Sequence, residues 1–323
     1  MPLSTRPTQP LTLASVLQPQ GELVQNRALI CDSAGNASSA DWSHPKPSPK
    51  AMQDIMKAWL QWASQRDPQS KPEHPIPEED QLELIRIACE VMDWDYNSMI
   101  QAADGQPFRL NLMQAFADLL HDPDKDLPAL LRVGVHTGVC DEIQPSGLWP
   151  LAKIQPLSSS GLEVCEGNWK PAEADPDTVR SLLADEEAAG WIKPVPGGLE
   201  EAKRIWPKGI AVGKLSLVKA ENREVLDSTV CQVNPMCRIP EAVSMPTVND
   251  VRATFMPSDP RGAFLAASVD FKAAHKRVKV HRSKQGLLLF MFEKILYRYV
   301  VCHLGAKFSA YWWQRVGGLI LRA

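Results

Sequence analysis

The sequence predicts an α+β fold, with helices and strands segregated along the chain. Two observations predict it. Between Met52 and Leu131 apolar residues recur at helical spacing. From Trp191 onward the texture changes to short runs rich in β-branched and aromatic residues, bounded by Gly, Pro, Asn and Asp.

Residues 1–50 are rich in Pro, Ser, Gln and Asn without sustained periodicity, and are expected to be disordered. Ala51 to Arg66 forms an amphipathic helix through Met52, Ile55, Met56 and Leu60, started by Ser48-Pro49. Gln69 to Ile76, with Pro72 and Pro75, is a linker. Pro77 then opens a helix whose first turn carries Glu78, Glu79 and Asp80, where acidic charge complements the helix dipole. Leu82, Ile85, Cys89 and Met92 form its apolar stripe. Asn111 to Leu120 and Leu127 to Val133 complete a helical region over 51–133, and 134–169 is a Gly- and Pro-bearing connector. Pro171 to Gly190 is expected as one acidic helix stopped by Gly190. Strands are expected at Gly213 to Val218, Glu224 to Asp227, Ala263 to Phe271, Leu287 to Phe292 and Leu296 to Val301. Glu293-Lys294-Ile295 joins the last two as a hairpin, and a final helix runs from Lys307 to Leu321.

Composition narrows the function classes. The most apolar stretch, Leu287 to Leu304, is broken by Glu293, Lys294 and Arg298, so no membrane span is expected. Met1 to Gln20 lacks a signal-peptide core, so an intracellular protein, nuclear or cytoplasmic, is expected rather than a secreted one. The 7 cysteines are odd in number, scattered and without a C-x-x-C pair, so buried reduced thiols are expected rather than a zinc ribbon or a disulfide framework. Charge is asymmetric: residues 1–200 hold 15 Lys+Arg against 29 Asp+Glu, a net −14, and residues 201–323 hold 20 against 9, a net +11. A basic segment on a mildly acidic chain points to a polyanionic partner for that segment, or to mutual attraction of the two parts. Lys272, Lys276, Arg277, Lys279, Arg282 and Lys284 form a basic run, expected as a solvated face. His275, His281 and His303 have no metal-ligand spacing, and core packing is expected for at least one of Tyr311, Trp312 and Trp313.

The run Ala263-Phe-Leu-Ala-Ala-Ser-Val-Asp270 ends a strand on a carboxylate, a position suited to holding a divalent cation. Downstream come Asp270-Phe-Lys-Ala-Ala-His275, the hairpin, Leu296-Tyr297, Leu304-Gly305, and a helix with Trp313-Gln314. Upstream stand Thr178 to Gly190, Trp191-Ile-Lys-Pro194, Lys214-Leu-Ser-Leu-Val218, Arg223-Glu-Val-Leu-Asp227 and Asn234. This order, over residues 170–323, resembles the fingers and part of the palm of retroelement reverse transcriptases, of the LTR or tyrosine-recombinase type. Gly134-Val-His-Thr-Gly138 and Ser146-Gly-Leu-Trp-Pro150 also look like the segment preceding that core in some retroelement proteins.

The resemblance implies RNA-directed DNA synthesis by two-metal nucleotidyl transfer, with an RNA template, a DNA primer and dNTP as partners. It implies Asp270 as the catalytic carboxylate and Mg²⁺ ligand, Arg223 on the triphosphate, and a supporting Lys219 or Lys214. It implies His275 at the sugar, and Gly305 and Gln314 in the nucleotide and template region. The chain departs from the family at His275, where Phe or Tyr is usual, and at His303 and Phe308-Ser-Ala-Tyr311 around the turn. The Tyr/Phe-x-Asp-Asp motif does not occur before Ala323. One carboxylate does not replace the trio that holds two ions, so this chain is expected not to polymerise DNA. The alternative expectations are a non-catalytic nucleic-acid-binding remnant and a helical protein-interaction module in 51–133.

Overall fold

The computed structural model describes residues 49–65, 77–153, 161–244, 247, 249 and 271–322, together with two short strands, β1 (Ile30–Cys31) and β2 (Ala37–Ser38), paired antiparallel. The segment 1–50, expected to be disordered, lies outside the described residues apart from that pair and the first residues of the first helix. The strand expected at Ala263 to Phe271 lies outside them too, except for Phe271. The chain is a mixed α and β protein that divides into two compact units, Met1–Tyr96 and Asn97–Ala323. The division falls inside the helical stretch 51–133.

In the first unit, α1 (Pro49–Ser64) and α2 (Glu78–Met92) pack against each other, and the Trp59 indole donates to the Leu84 carbonyl at 2.9 Å. Ile55, Ile85, Ala88 and Cys89 are buried. Glu78, Glu79 and Asp80 occupy the first turn of α2, and Asp93 closes the helix in a left-handed conformation. A single turn, α3 (Tyr96–Met99), lies at the division.

The second unit carries α4 (Leu110–Leu119), α5 (Leu127–Val133), α6 (Lys170–Glu173), α7 (Pro176–Ala188), β3 (Ile192–Pro194), α8 (Gly198–Ile205), β4 (Val212–Val218), β5 (Arg223–Asp227), α9 (Val233–Met236), β6 (Leu289–Phe292), β7 (Ile295–Tyr299) and α10 (Lys307–Arg322). Five strands form one mixed sheet in the order β3-β7-β6-β4-β5. It is built from two antiparallel hairpins, β4–β5 and β6–β7, joined by a parallel pairing of Val212 with Leu289 and Gly213 with Phe290. The β6–β7 connection is two residues, Glu293 and Lys294, both with positive φ, the twist that suits a tight hairpin. The edge strand β3 is short and carries Lys193 and Pro194, which discourage further pairing.

Three expectations need correction. The single helix expected over Pro171 to Gly190 is two, α6 and α7. Asp175 accepts from the Thr178 N–H at 3.4 Å as an N-cap, and Pro176 starts the new helix because the N–H it lacks has no intrahelical partner there. The strand expected from Leu287 begins at Leu289, because Arg282–Leu287 is a 3-10 turn. The stretch 134–169 is more than a connector: Val135, Val139 and Ile143 belong to the main core, and the Cys165 N–H bonds to the Val212 carbonyl at 3.0 Å.

The core is closed by α10. Tyr311, Trp312 and Phe308 are buried, and the Trp312 indole donates to the His136 carbonyl at 2.7 Å. Arg315 holds Asp124 through two hydrogen bonds of 2.9 and 2.6 Å, with side-chain exposures of 1% and 2%. Tyr311 donates to Glu241 at 2.5 Å, and Glu241 also accepts from Ser146 and Gly147. Cys89, Cys231, Cys237 and Cys302 are buried free thiols, whereas Cys140 is exposed. Among the described residues no helix is long and apolar enough to cross a membrane.

Candidate functional site

Alternation along a strand sends every second side chain to one face. In β5 this splits Arg223, Val225 and Asp227 from Glu224 and Leu226, which are buried. Register pairs Arg223 with Val218, Val225 with Ser216 and Asp227 with Lys214, so these six share one face of the hairpin. An open depression of ≈ 540 Å³ lies on that face, lined by Trp169, Ser216, Val218, Val225, Asp227 and Gly305 among others.

Gly305 borders the depression because it sits against the β5 backbone. Its φ is +96°, and a Cβ there would overlap the Leu226 carbonyl oxygen, so only glycine fits. Asn234 fixes the turn by donating to the Gly305 carbonyl at 2.7 Å and accepting from the Lys307 N–H at 2.8 Å.

The cations predicted for phosphate contact are exposed and only lightly engaged. Arg223 meets Glu221 at 2.9 Å, and Lys219 meets Asp175 at 3.3 Å. Exposed pairs of this kind are weak and easily exchanged. Lys214 shares the face of Arg223, with its ammonium 5.4 Å above the Trp169 ring. Trp169 was not singled out from the sequence. It is 41% exposed, and its indole donates to Asp227 at 3.2 Å. Its position just before Lys170-Pro171, outside any periodic run, was the only available signal.

Asp270 lies outside the described residues. The chain is described again from Phe271, which meets Trp313 of α10 edge-on at 5.2 Å. Gln314, next along α10, is half-buried. His275 lies in the 3-10 turn Ala274–Arg277, half-buried, and burial lowers its pKa from the usual imidazole range.

The neighbouring Lys276 corrects the expectation of a solvated basic run. It is half-buried on the opposite face of β5, ion-paired with Glu186 of α7 and, at 2.9 Å, with Glu224 of β5. Burial brings its pKa down to about 8 and raises that of Glu224. Tyr299 approaches Glu224 at 3.5 Å. His303 stacks on Tyr299 at 4.9 Å and is fully enclosed, which lowers its pKa to about 4. Lys284 of the same run is buried, against Asp141 and the Val139 carbonyl. His281 stacks on His136 at 5.1 Å.

Among the described residues no three His, Cys, Asp or Glu side chains gather as a metal site. The carboxylate nearest the depression, Asp227, already accepts from Trp169, Thr229 and Val230. The described residues therefore do not form the carboxylate cage that two Mg²⁺ ions take during phosphoryl transfer. No family model and no curated protein matches this chain.

Proposed function

We propose that residues 170–323 are a reverse-transcriptase-like fingers and partial palm that binds a nucleotide and nucleic acid, and that this chain does not itself extend a primer. The observation that carries this reading is the shared depression. Gly305 lines the depression, and Arg223 stands on the same hairpin face, opposite the lining residue Val218; the resemblance assigns both residues to the nucleotide. Lys276 supports it, because the segment that follows Asp270 is anchored to Glu224, the neighbour of Arg223.

Chemically, the guanidinium of Arg223 offers a planar fork for two phosphate oxygens. Lys214 or Lys219 adds a mobile point charge. Trp169 gives the rim an aromatic surface on which a base can stack. Magnesium, when brought in by a nucleotide, supplies charge neutralisation at the phosphates. The described carboxylates do not form a cage for it.

The test is dTTP binding in Mg²⁺ by calorimetry, with primer extension on an RNA template in parallel. Binding that drops roughly tenfold in Arg223→Ala, without extension, is the expected result. A folded chain that binds neither dTTP nor a primer–template refutes the reading. Extension that disappears in Asp270→Ala refutes its non-polymerising half. A second reading, a nucleic-acid grip without nucleotide binding, is favoured by the net +11 of residues 201–323, from 20 Lys+Arg and 9 Asp+Glu. Oligonucleotide binding without dTTP binding selects it.

A further inference from the structure

The same face of the sheet holds a second concentration of positive charge at its β3–β7 edge, across the strand order from the β4–β5 hairpin that borders the depression. In the antiparallel pairing of β3 with β7, Lys193 stands directly opposite Arg298. Cross-strand partners share a face and lie close, and two like charges there repel. Among the described residues neither cation has an acidic partner. The charges on the adjacent helix α8 are already used within it: Lys203 pairs with Glu200 at 2.7 Å, and Arg204 with Glu201 at 2.7 Å.

Arg298 is held in place. Its guanidinium lies 5.5 Å from the centroid of the Trp206 ring, and Trp206 is fixed by donating to the Arg282 carbonyl at 2.9 Å. The Arg298 Nε is buried without a hydrogen-bond acceptor. Burial and the nearby Arg282 both lower the Arg298 pKa, so a second cation faces it and no carboxylate offsets either. Arg282 itself is exposed. A buried donor without a protein acceptor is rare in a folded protein, so the Arg298 charge is poorly compensated by its own chain.

We infer that Lys193, Arg298 and Arg282 form a phosphodiester-binding site on the β3–β7 face, a second point of attachment for a single nucleic-acid strand. This rests on the nucleic-acid reading above and extends it. A phosphate neutralises the Lys193–Arg298 repulsion. The planar guanidinium, oriented by Trp206, is suited to two-point contact with phosphate oxygens. A single strand is the better fit than an acidic peptide, because the net +11 of residues 201–323, from 20 Lys+Arg and 9 Asp+Glu, offers a long polyanion further cations beyond these three.

The experiment uses the full chain and a fluorescent oligothymidylate read by anisotropy over a salt series. The Lys193→Gln/Arg298→Met double variant keeps the side-chain stems, so the Trp206 contact stays packed. The expected result is a roughly tenfold loss of affinity, with the salt slope shallower by about 1.4, or about 0.7 for each lost phosphate contact on a single strand. Arg282→Gln, a surface change that leaves the fold intact, is expected to weaken binding in the same direction. Wild-type binding that both variants match overturns the site and leaves the nucleotide reading standing. A wild-type chain that binds dTTP but no oligonucleotide overturns this site and the nucleic-acid half of the reading, and leaves its nucleotide half standing. Oligoglutamate of equal charge, bound as tightly and lost equally in the variants, overturns the phosphodiester assignment.

Discussion

Arg315→Met is expected to be among the most damaging single changes in the second unit. The guanidinium spans Asp124 on one side and the Gln144 carbonyl at 3.0 Å on the other, and its plane lies 4.5 Å from the Trp312 ring centroid. Methionine keeps most of the volume and removes the charge. Asp124, 2% exposed, is then left as a buried carboxylate without its cation. Breaking one side of a buried pair costs about 3–5 kcal/mol, and the orphaned carbonyl adds about 1 kcal/mol. With a urea dependence of about 2 kcal/mol per M, the unfolding midpoint falls by about 2 M. Asp124→Leu alone strands the arginine and costs a comparable amount. The double variant Asp124→Leu/Arg315→Met removes both charges and is expected to recover at least half of the loss, since an apolar pair of similar volume is often neutral. A midpoint shift below about 0.3 M for Arg315→Met at unchanged slope refutes the reasoning. So does a double variant no more stable than either single one.

Further outcomes are expected elsewhere. Gly305→Ala forces a Cβ into the Leu226 carbonyl at a φ of +96°, so the unfolding midpoint drops by the equivalent of more than about 2 kcal/mol. An unchanged midpoint in that variant contradicts the close approach. His303 has a folded pKa of about 4, held down by burial, against about 6.5 in the unfolded chain. The unfolded chain therefore binds more protons between those values, so stability is full above pH 6.5 and falls by up to about 3 kcal/mol as pH drops toward 4. His136 and His275, also lowered mainly by burial, act in the same direction. Urea midpoints at pH 4.5 and 7 are expected to differ less in His303→Asn than in the parent chain. Cys140, exposed, is expected to be alkylated before Cys231, Cys237 and Cys302, as read by peptide mass; simultaneous labelling contradicts the burial.

Local rules carried most of the elements. The helix at Leu127–Val133 and the β6–β7 hairpin were legible because periodicity, glycine and turn chemistry act over a few residues. The helix α8 was missed although its charges follow the dipole, with Glu200 and Glu201 first and Lys203 and Arg204 last. Eight residues that begin at Gly198 give too little periodicity to stand out. Residues such as Lys276 and Lys284 were misread for a different reason. Nothing within ten residues of Lys276 announces Glu186 or Glu224, which reach it only through the folded chain. Burial of a charge depends on such distant partners. The candidate site was legible in part: Arg223 and Gly305 were named from motif order, whereas Trp169 emerges only from its contact with Asp227 and the Lys193–Arg298 juxtaposition only from strand register.

The parallel seam between β4 and β6 has a kinetic consequence. Each hairpin closes over a short loop, a process of about 1–10 μs. The seam brings together Val212 and Leu289 across the entire intervening chain, so its entropy must be lost before any ladder bond repays it. Refolding is therefore limited by the encounter of two preformed halves. Until they meet, the facing edges of β4 and β6 are open to strands of other molecules, so recovery from denaturant falls as protein concentration rises.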